Sequence, residues 1–379
     1  METWIDPCDV DGTVRLLGAA GGWRADASEH YLSLIDDVDA ERMRAMYRDM
    51  VLVRTFDSEA TSLQRQGELG LWPESRGQEA AQIGSAHALR PQDYVFPSYR
   101  EHGVAHVRGL PLQEILHLFR GIQHGGWDPT AHGFNIYTLV IGSHTLHATG
   151  YAMGIQRDGD VGTGDAERDR AVVAYFGDGA TAQGDVNEAL VFASTTQAPV
   201  VFFCQNNQWA ISAPTTVQTR VPIVERGRGF GVPSVRVDGN DVLAVLAVTR
   251  EALARARDGG GPTFIEAVTY RMGAHTTSDD PTRYREREEE DQWRRRDPID
   301  RLRNLLIAQG DADQAFLDSV DAEAAEFAAS IRTYCRSLTK PAPSSMFTNV
   351  YAAEHPLVTE ESTWYEGYAR SFDVAEVSR

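Results

Sequence analysis

Lysine is almost absent from this sequence of 379 residues. A single lysine, Lys340, stands among 36 basic side chains, so arginine carries nearly all of the positive charge. A phosphate-binding loop of the Walker type requires Gly-Lys-Ser/Thr. Because Lys340 is followed by Pro341, that class of nucleotide-binding site is excluded. Catalysis through a Schiff base would have to depend on Lys340 alone.

Cysteine and long apolar runs are also scarce. The three cysteines, Cys8, Cys204 and Cys335, are widely spaced and odd in number, which argues against a disulfide framework and favours a reducing compartment. No run approaches the roughly 18 apolar residues that a membrane span needs. The acidic first segment, residues 1–20, lacks the basic start and apolar centre of a signal peptide. We therefore expect a cytoplasmic protein.

Positive charge as a whole is deficient. The chain has 55 acidic against 36 basic side chains and a formal net charge of −19. A field of this sign repels nucleic acid and anionic membrane surfaces, so we expect neither as a partner. The length allows one large domain or two of ordinary size.

Apolar runs and helical periodicity alternate through the middle of the chain. Residues 171–176 and 199–204 are continuous apolar runs that are typical of buried strands, and residues 184–194 between them have a helical pattern. The same alternation of strand, helix and strand recurs at 234–237, 242–256 and 263–270. Continuous apolar strands separated by helices indicate an α/β protein with an open parallel sheet and helices on both of its faces.

The two ends of the chain differ from this central pattern. Residues 1–40 are polar without a sustained period and are predicted to form an N-terminal arm. The α/β domain is predicted over residues 41–275, starting with a helix from about Asp39 to Gln66. Residues 276–298 are predicted to form a charged, exposed loop without an apolar face. Residues 299–379 are predicted to form C-terminal helices and an irregular tail with a short helix near its end.

Oxygen-bearing side chains follow the two clearest strands. Asp178 lies within Gly177-Asp178-Gly179 after the first strand, and Asn207 follows the second. The carboxyl ends of parallel strands open into a crevice where ligands bind. Carboxylate and amide oxygens suit magnesium, which leaves positions for water and phosphate, and glycine permits close approach of a ligand. We expect a metal and a diphosphate here, although Gly-Asp-Gly after a strand, taken alone, is more commonly a plain turn.

The stretch from Gly177-Asp178-Gly179 through Gly184 and Glu188 to Asn206-Asn207 resembles the signature of thiamine-diphosphate-binding proteins. Other segments resemble, in the same order, the α subunit of the branched-chain 2-oxo acid dehydrogenase, and together they cover about residues 40–352. These segments are 64–67, 98–101, 237–242, 266–271, His275 with Ser278-Asp279-Asp280, 297–299, and Phe347 with Val350-Tyr351. The resemblance implies a thiamine-diphosphate-binding fold.

Site residues follow from this resemblance by position. It implies that magnesium is bound by Asp178, the Asn207 amide and the Trp209 backbone carbonyl. It implies that the cofactor is bound by Tyr99, Arg100, Ile141, Asp178, Gly179, Ala180, Asn207 and His275. Arg100 is expected to grip the diphosphate, Ile141 to support the bent cofactor, and His275 to be the catalytic residue near the reacting carbon. Without the resemblance, Arg100 would be assigned to a surface ion pair with Glu101, His275 to an exposed loop and Ile141 to the core.

Two departures from the family pattern concern positions that contact the cofactor in the family. Leu139 stands where the family has a small hydroxyl side chain, and Gln205 stands where the mammalian branched-chain enzyme has an arginine on the diphosphate. A different kind of site is suggested by His144 and His147, whose spacing resembles a metal site. Because no third ligand is near them in the sequence, a transition-metal site is not favoured.

The resemblance also implies that the chain does not act alone. The family places the glutamate that bonds the cofactor's aminopyrimidine on a separate β subunit, and no second α/β domain is evident here to carry it. We expect two α and two β subunits, decarboxylation of a 2-oxo acid, and acyl transfer to the lipoyl group of a partner acyltransferase. The alternatives are the α subunit of a pyruvate or acetoin dehydrogenase, and a catalytically silent scaffold of the same fold. The charged loop at 276–298 is expected to be ordered by bound cofactor.

Overall fold

The computed structural model describes residues 7, 8 and 10–376. The strands are β1 Thr13–Val14, β2 Tyr94–Phe96, β3 Val172–Gly177, β4 Val200–Asn206, β5 Trp209–Ala210, β6 Ala213–Pro214, β7 Ser234–Asp238 and β8 Thr263–Val268. The helices are α1 Glu29–Ser33, α2 Ala40–Arg65, α3 Glu79–Ala86, α4 His102–Val107, α5 Leu112–Phe119, α6 Pro129–His132, α7 Ser143–Asp158, α8 Gly184–Thr196, α9 Thr215–Gln218, α10 Val224–Gly229, α11 Val242–Arg257, α12 Arg287–Arg294, α13 Pro298–Gln309, α14 Gln314–Ser337 and α15 Pro356–Glu376. Turns of 3-10 helix occupy Asp178–Ala182, Pro281–Arg283 and Pro343–Phe347.

Six of the strands form one sheet in the order β1-β7-β8-β4-β3-β2, and every neighbouring pair is parallel. In the register of β3 with β4, Gly177 lies opposite Gln205. Asp178 and Asn207, which follow these strands, therefore leave the sheet at the same edge. The predicted α/β fold with an open parallel sheet is confirmed.

Helices cover both faces of this sheet. Alternate residues of β3, Val172, Ala174 and Phe176, belong to the apolar cluster formed with α7 and α8. The intervening Tyr175 points to the opposite face of the sheet, where its hydroxyl donates to Ser85 Oγ of α3 at 2.9 Å. This alternation is the period of two that a strand imposes on its side chains, and it explains why both sets are apolar.

Helices α3 and α11 approach each other closely on the face that Tyr175 occupies. A Cβ placed on Gly84 of α3 would lie 2.5 Å from the Val242 carbonyl oxygen of α11, so only glycine permits this distance. Helix α11 begins cleanly because Asp241 accepts a hydrogen bond from the Ala244 backbone N–H at 3.1 Å. This close packing fixes the position of α3 and, with it, the position of Gln78, the residue that precedes α3.

The charged segment 276–298 is not a loop without an apolar anchor, and that prediction is wrong. It contains α12, whose Trp293 is buried. The Trp293 ring stacks on Tyr270 with centroids 5.2 Å apart, and the Arg285 guanidinium lies 5.3 Å from the centroid of the Tyr270 ring. One tryptophan among many charged residues is a weak signal of amphipathicity, so the sequence pattern did not predict a helix with a buried face in this segment. The ordering of this segment by cofactor stays a prediction.

The chain ends contain more regular structure than expected. The predicted arm supplies β1, which pairs in parallel with β7 at the edge of the sheet. The predicted long helix near the start is confirmed as α2, capped by Asp39. The tail is not mainly irregular, since α15 extends over Pro356–Glu376.

Contacts divide the chain into one unit that extends to Arg336 and a second that begins at Ser337. The predicted domain boundaries at residues 40, 275 and 298 stay a prediction. No helix in the described part of the chain is both long and apolar enough to cross a membrane. All three cysteines are buried.

Candidate active site

A cavity of about 250 Å³ opens at the carboxyl ends of β3 and β4. Every residue predicted to bind cofactor or metal lines it: Tyr99, Arg100, Ile141, Asp178, Gly179, Ala180, Asn207, Trp209 and His275. Its wall also contains residues outside the predicted ligand set, namely Gln78, Ser98, Glu101, Gly177, Gln183, Gln205, Ala210 and Ile211. The fold thus brings together six separate segments of the chain.

Asp178 is the central carboxylate of the cavity. It begins the 3-10 turn directly after β3 and is only 2% exposed. Its Oδ2 accepts a hydrogen bond from Gln218 Nε2 at 2.7 Å. Burial raises the pKa of Asp178 to about 6, even though the Gln218 amide acts to lower it. A buried carboxylate of this kind is stabilised when a cation binds beside it.

Asn207 and Trp209 form the adjacent part of the wall. Asn207 Nδ2 donates to Gln78 Oε1 at 3.1 Å, and Asn207 Oδ1 accepts from the Trp209 backbone N–H at 3.2 Å. The Trp209 carbonyl, predicted to bind metal, accepts a hydrogen bond from Arg271 Nη1 at 3.0 Å. One lone pair of that carbonyl is therefore already used by a guanidinium, and the role of Trp209 as a metal ligand stays a prediction.

Gly179 and Ala180 form a close-fitting floor. A Cβ placed on Gly179 would lie 2.8 Å from the Cβ of Ala210, which is shorter than any normal contact. Ala180 is buried within the same turn. The turn precedes α8, which begins at Gly184, so its backbone leads into the positive end of a helix dipole.

Arg100 is buried in the wall, so the alternative of a surface ion pair is wrong. Its Nη1 donates to the Glu74 carbonyl oxygen, and its Nη2 donates to the His275 carbonyl oxygen at 2.9 Å. Its guanidinium carbon lies 5.5 Å from the centroid of the Tyr99 ring. Carbonyl groups orient the guanidinium without neutralising it, which leaves its positive charge to act on an anion in the cavity.

His275 is half-buried, and its Nδ1 lies 3.4 Å from Arg100 Nη2. Burial, with the positive charges of Arg100 and Arg271, lowers the pKa of His275 to about 4. At neutral pH the ring is uncharged and can accept a proton at one nitrogen while donating from the other.

Gln205 stands at the position of the family's arginine and makes a buried contact of its own. Its Nε2 donates to Glu101 Oε1 at 2.7 Å, and its Oε1 accepts from Gln82 Nε2 at 3.1 Å. Burial raises the pKa of Glu101 to about 7. Gln82 Nε2 also donates to the Arg100 carbonyl oxygen at 2.9 Å. These buried side chains therefore hold the Arg100 backbone in position.

Gln78 is a wall residue that sequence reasoning missed. It is 1% exposed, and its Nε2 is buried without a hydrogen-bond partner in the described structure. An unsatisfied buried amide donor costs about 1–3 kcal/mol, so this donor is available to an acceptor in the cavity. A glutamine before a helix has no sequence signal that distinguishes it from a surface residue, and Gln218 was missed for the same reason.

Two further predictions concern Ile141, in the segment before α7, and the pair of His144 and His147. Ile141 is 37% exposed and lines the cavity, so the alternative of an ordinary core residue is wrong, whereas Leu139 is exposed and lies outside the cavity wall. His144 is buried, and its Nε2 lies 2.6 Å from the Tyr175 carbonyl oxygen. No cluster of three or more metal-ligating side chains occurs among the described residues, so His144 and His147 form no such site there.

Together these features define a cofactor-binding α/β protein. A buried carboxylate, an amide oxygen, an arginine whose charge is not neutralised and an orphaned amide donor surround one cavity at the carboxyl edge of a parallel sheet. This donor set fits a diphosphate with a divalent cation.

The chain belongs to the dehydrogenase E1 component family, whose model matches residues 47–333. Members of this family depend on thiamine diphosphate. The predicted family resemblance is confirmed, and the chain is an enzyme of the dehydrogenase E1 type.

Curated relatives support the same family. The chain is 47% identical over 348 residues to the 3-methyl-2-oxobutanoate dehydrogenase subunit alpha of Mycobacterium tuberculosis (strain ATCC 25618 / H37Rv), and the match covers 90% of each chain. It is 37% identical over 335 residues to the pyruvate dehydrogenase E1 component subunit alpha of Acholeplasma laidlawii, covering 86% of this chain and 94% of the relative. The corresponding Staphylococcus aureus (strain N315) subunit is 38% identical over 279 residues, covering 73% of each chain.

Proposed function

We propose that this chain is the α subunit of a branched-chain 2-oxo acid dehydrogenase of the 3-methyl-2-oxobutanoate type. The observation that carries the proposal is the convergence of all nine predicted site residues on one cavity, in a chain that is 47% identical to a subunit of that name over 90% of its length. The proposed substrate is a 2-oxo acid with a branched side chain, and the proposed location is the cytoplasm.

The cavity is proposed to hold the diphosphate end of thiamine diphosphate together with Mg²⁺. Asp178 and Asn207 are the proposed side-chain ligands of the metal, and the Trp209 carbonyl is the third. Arg100, oriented by two carbonyl groups, would bind the anionic oxygens. Residue 179 must be a glycine because any Cβ there would meet Ala210, and its backbone is proposed to lie against the diphosphate.

The bound cofactor supplies a carbanion that permits decarboxylation of the 2-oxo acid. After carbon dioxide is lost, the remaining aldehyde-level fragment would be oxidised to an acyl group and transferred as a thioester to the lipoyl group of a partner acyltransferase, whose disulfide would be reduced in the same step. His275 is the proposed catalytic residue of this chain. Because its imidazole is uncharged at neutral pH, it can bind an anionic ligand by donating a hydrogen bond and can hold a proton during the reaction.

A separate β subunit is proposed to complete the site. The cavity wall contains two carboxyl groups: Asp178 is assigned to the metal, and Glu101 bonds inward to Gln205. The glutamate that the cofactor's aminopyrimidine requires is therefore assigned to the partner. Two large apolar side chains of the cavity wall, Ile141 and Ile211, are exposed, which is typical of a protein interface.

Steady-state kinetics of the reconstituted α and β subunits test this function. We expect kcat/KM to be higher for 3-methyl-2-oxobutanoate than for pyruvate, with activity that requires Mg²⁺, thiamine diphosphate and both subunits. Preference for pyruvate would instead assign the chain to a pyruvate dehydrogenase, which the 37% identity to a relative of that name keeps as the second candidate. Failure of the complex to bind the cofactor in calorimetry would assign it as a silent scaffold.

A further inference from the structure

Two glutamines outside the predicted ligand set contact the two side chains assigned to the metal. Gln218 lies at the end of α9, close to Asp178 in space although 40 positions away in sequence. Its Nε2 donates to Asp178 Oδ2 at 2.7 Å and to the Ala213 carbonyl oxygen at 2.9 Å. Both protons of the amide are used, so the amide has one orientation, with its nitrogen against the carboxylate. One lone pair of Oδ2 is thereby used, which favours Oδ1 as the oxygen that faces a cation.

Gln78 makes the matching contact with Asn207. Its Oε1 accepts from Asn207 Nδ2 at 3.1 Å, and Asn207 Oδ1 accepts from the Trp209 backbone N–H at 3.2 Å. Together these two contacts determine which end of the Asn207 amide points toward Gln78. The shape of an amide does not distinguish its oxygen from its nitrogen, so its orientation is set by such partners. With Nδ2 held by Gln78, Asn207 Oδ1 points to the opposite side, where one lone pair accepts from the Trp209 N–H and the other can serve as a ligand.

A second, independent observation points to a bound ligand at Gln78. Its Nε2 is buried, lacks a partner in the described structure, and belongs to a residue that lines the cavity. A donor held in this way suits an anionic oxygen. We propose that Gln78 and Gln218 are positioning residues that fix which oxygens of Asn207 and Asp178 face the divalent cation, and that Gln78 Nε2 also donates to the diphosphate. This inference rests on the proposed function.

The experiment measures metal and cofactor binding separately in the complex of α with its β subunit. Mn²⁺ is titrated at saturating thiamine diphosphate and followed by electron paramagnetic resonance, and thiamine diphosphate is titrated at saturating Mn²⁺ by calorimetry. We expect Gln78→Leu and Gln218→Leu each to weaken Mn²⁺ binding about 10–100-fold, the usual effect of removing a partner of a metal ligand. Gln156→Leu is the matched control, because the Gln156 amide also bonds two carbonyl oxygens but lies outside the cavity wall.

Gln78→Glu separates the two functions of Gln78 and preserves its size. It keeps an acceptor for Asn207 Nδ2 but replaces the Nε2 donor, so we expect Mn²⁺ affinity near that of the wild type and a clear loss of thiamine diphosphate affinity. A role in packing alone would not produce this split. Wild-type Mn²⁺ affinity in both leucine variants, or equal loss of Mn²⁺ binding in Gln78→Glu and Gln78→Leu, would overturn the inference. Absence of Mn²⁺ binding in the wild-type complex would instead overturn the proposed function on which it rests.

Discussion

Replacement of Asp178 by asparagine is expected to stabilise the metal-free protein while it removes metal-dependent cofactor binding. The Asp178 carboxyl is 2% exposed and accepts a hydrogen bond from Gln218 Nε2. Asparagine has nearly the same shape and keeps an oxygen for the Gln218 amide. It removes only the negative charge that the folded state holds out of water.

The size of the effect follows from the pKa of Asp178, which burial raises from 3.8 to about 6. At about 1.4 kcal/mol per pKa unit, the buried charge destabilises the folded state by about 3 kcal/mol. Since the folded state holds this proton more tightly than the unfolded chain, the penalty is absent below pH 4, grows between pH 4 and 6, and is complete above pH 6. The gain from Asp178→Asn should therefore be about 3 kcal/mol at pH 8 and close to zero at pH 4.

Urea unfolding in a metal chelator at these two pH values measures this gain. Asp36→Asn is the matched control, because it removes the same charge from an exposed site. In a second arm, Mg²⁺ with thiamine diphosphate should stabilise the wild type in the presence of its β subunit and leave Asp178→Asn unchanged. Equal gains at pH 4 and pH 8, or no gain at either, would refute the view that desolvation of this carboxylate limits the stability of the metal-free protein.

Three other substitutions test particular features of the fold and the site. Gly179→Ala should weaken cofactor binding by about 1–3 kcal/mol in calorimetry, because its Cβ would lie 2.8 Å from the Cβ of Ala210, whereas Gly150→Ala, with open space around it, should have no effect; equal effects would contradict the steric argument. Burial lowers the pKa of His102 to about 3, so the wild type should lose stability as the pH falls from 6.5 towards 3, and His102→Gln should flatten that part of the urea-midpoint profile; an unchanged slope would assign the acid sensitivity elsewhere. Trp293→Ala should destabilise the protein by about 3–5 kcal/mol in urea unfolding, since the ring is 1% exposed; a loss below about 1 kcal/mol would show that the ring does not anchor its segment.

Local patterns predicted most of the central sheet. The apolar runs at 171–176 and 199–204 became β3 and β4 with ends shifted by one or two residues. The pattern failed where a single residue decides the outcome: α12 depends on Trp293 alone for its burial, and the two-residue strand β1 is held by its pairing with β7 rather than by any period of its own. Short elements are stabilised by partners that are distant in sequence, so local propensity does not reveal them.

The sequence by itself determined that Asp178 and Asn207 meet at one edge of a parallel sheet, because strand ends and side-chain period are local properties. It also identified the family through motifs that are read residue by residue. Only the tertiary structure decided the chemistry of the site. The pKa values of Asp178 and His275 depend on how much water is excluded around them, and the contacts of Gln78 and Gln218 depend on the orientation of amides from separate parts of the chain. Desolvation and hydrogen-bond geometry arise from many residues at once, and no single stretch of sequence encodes them.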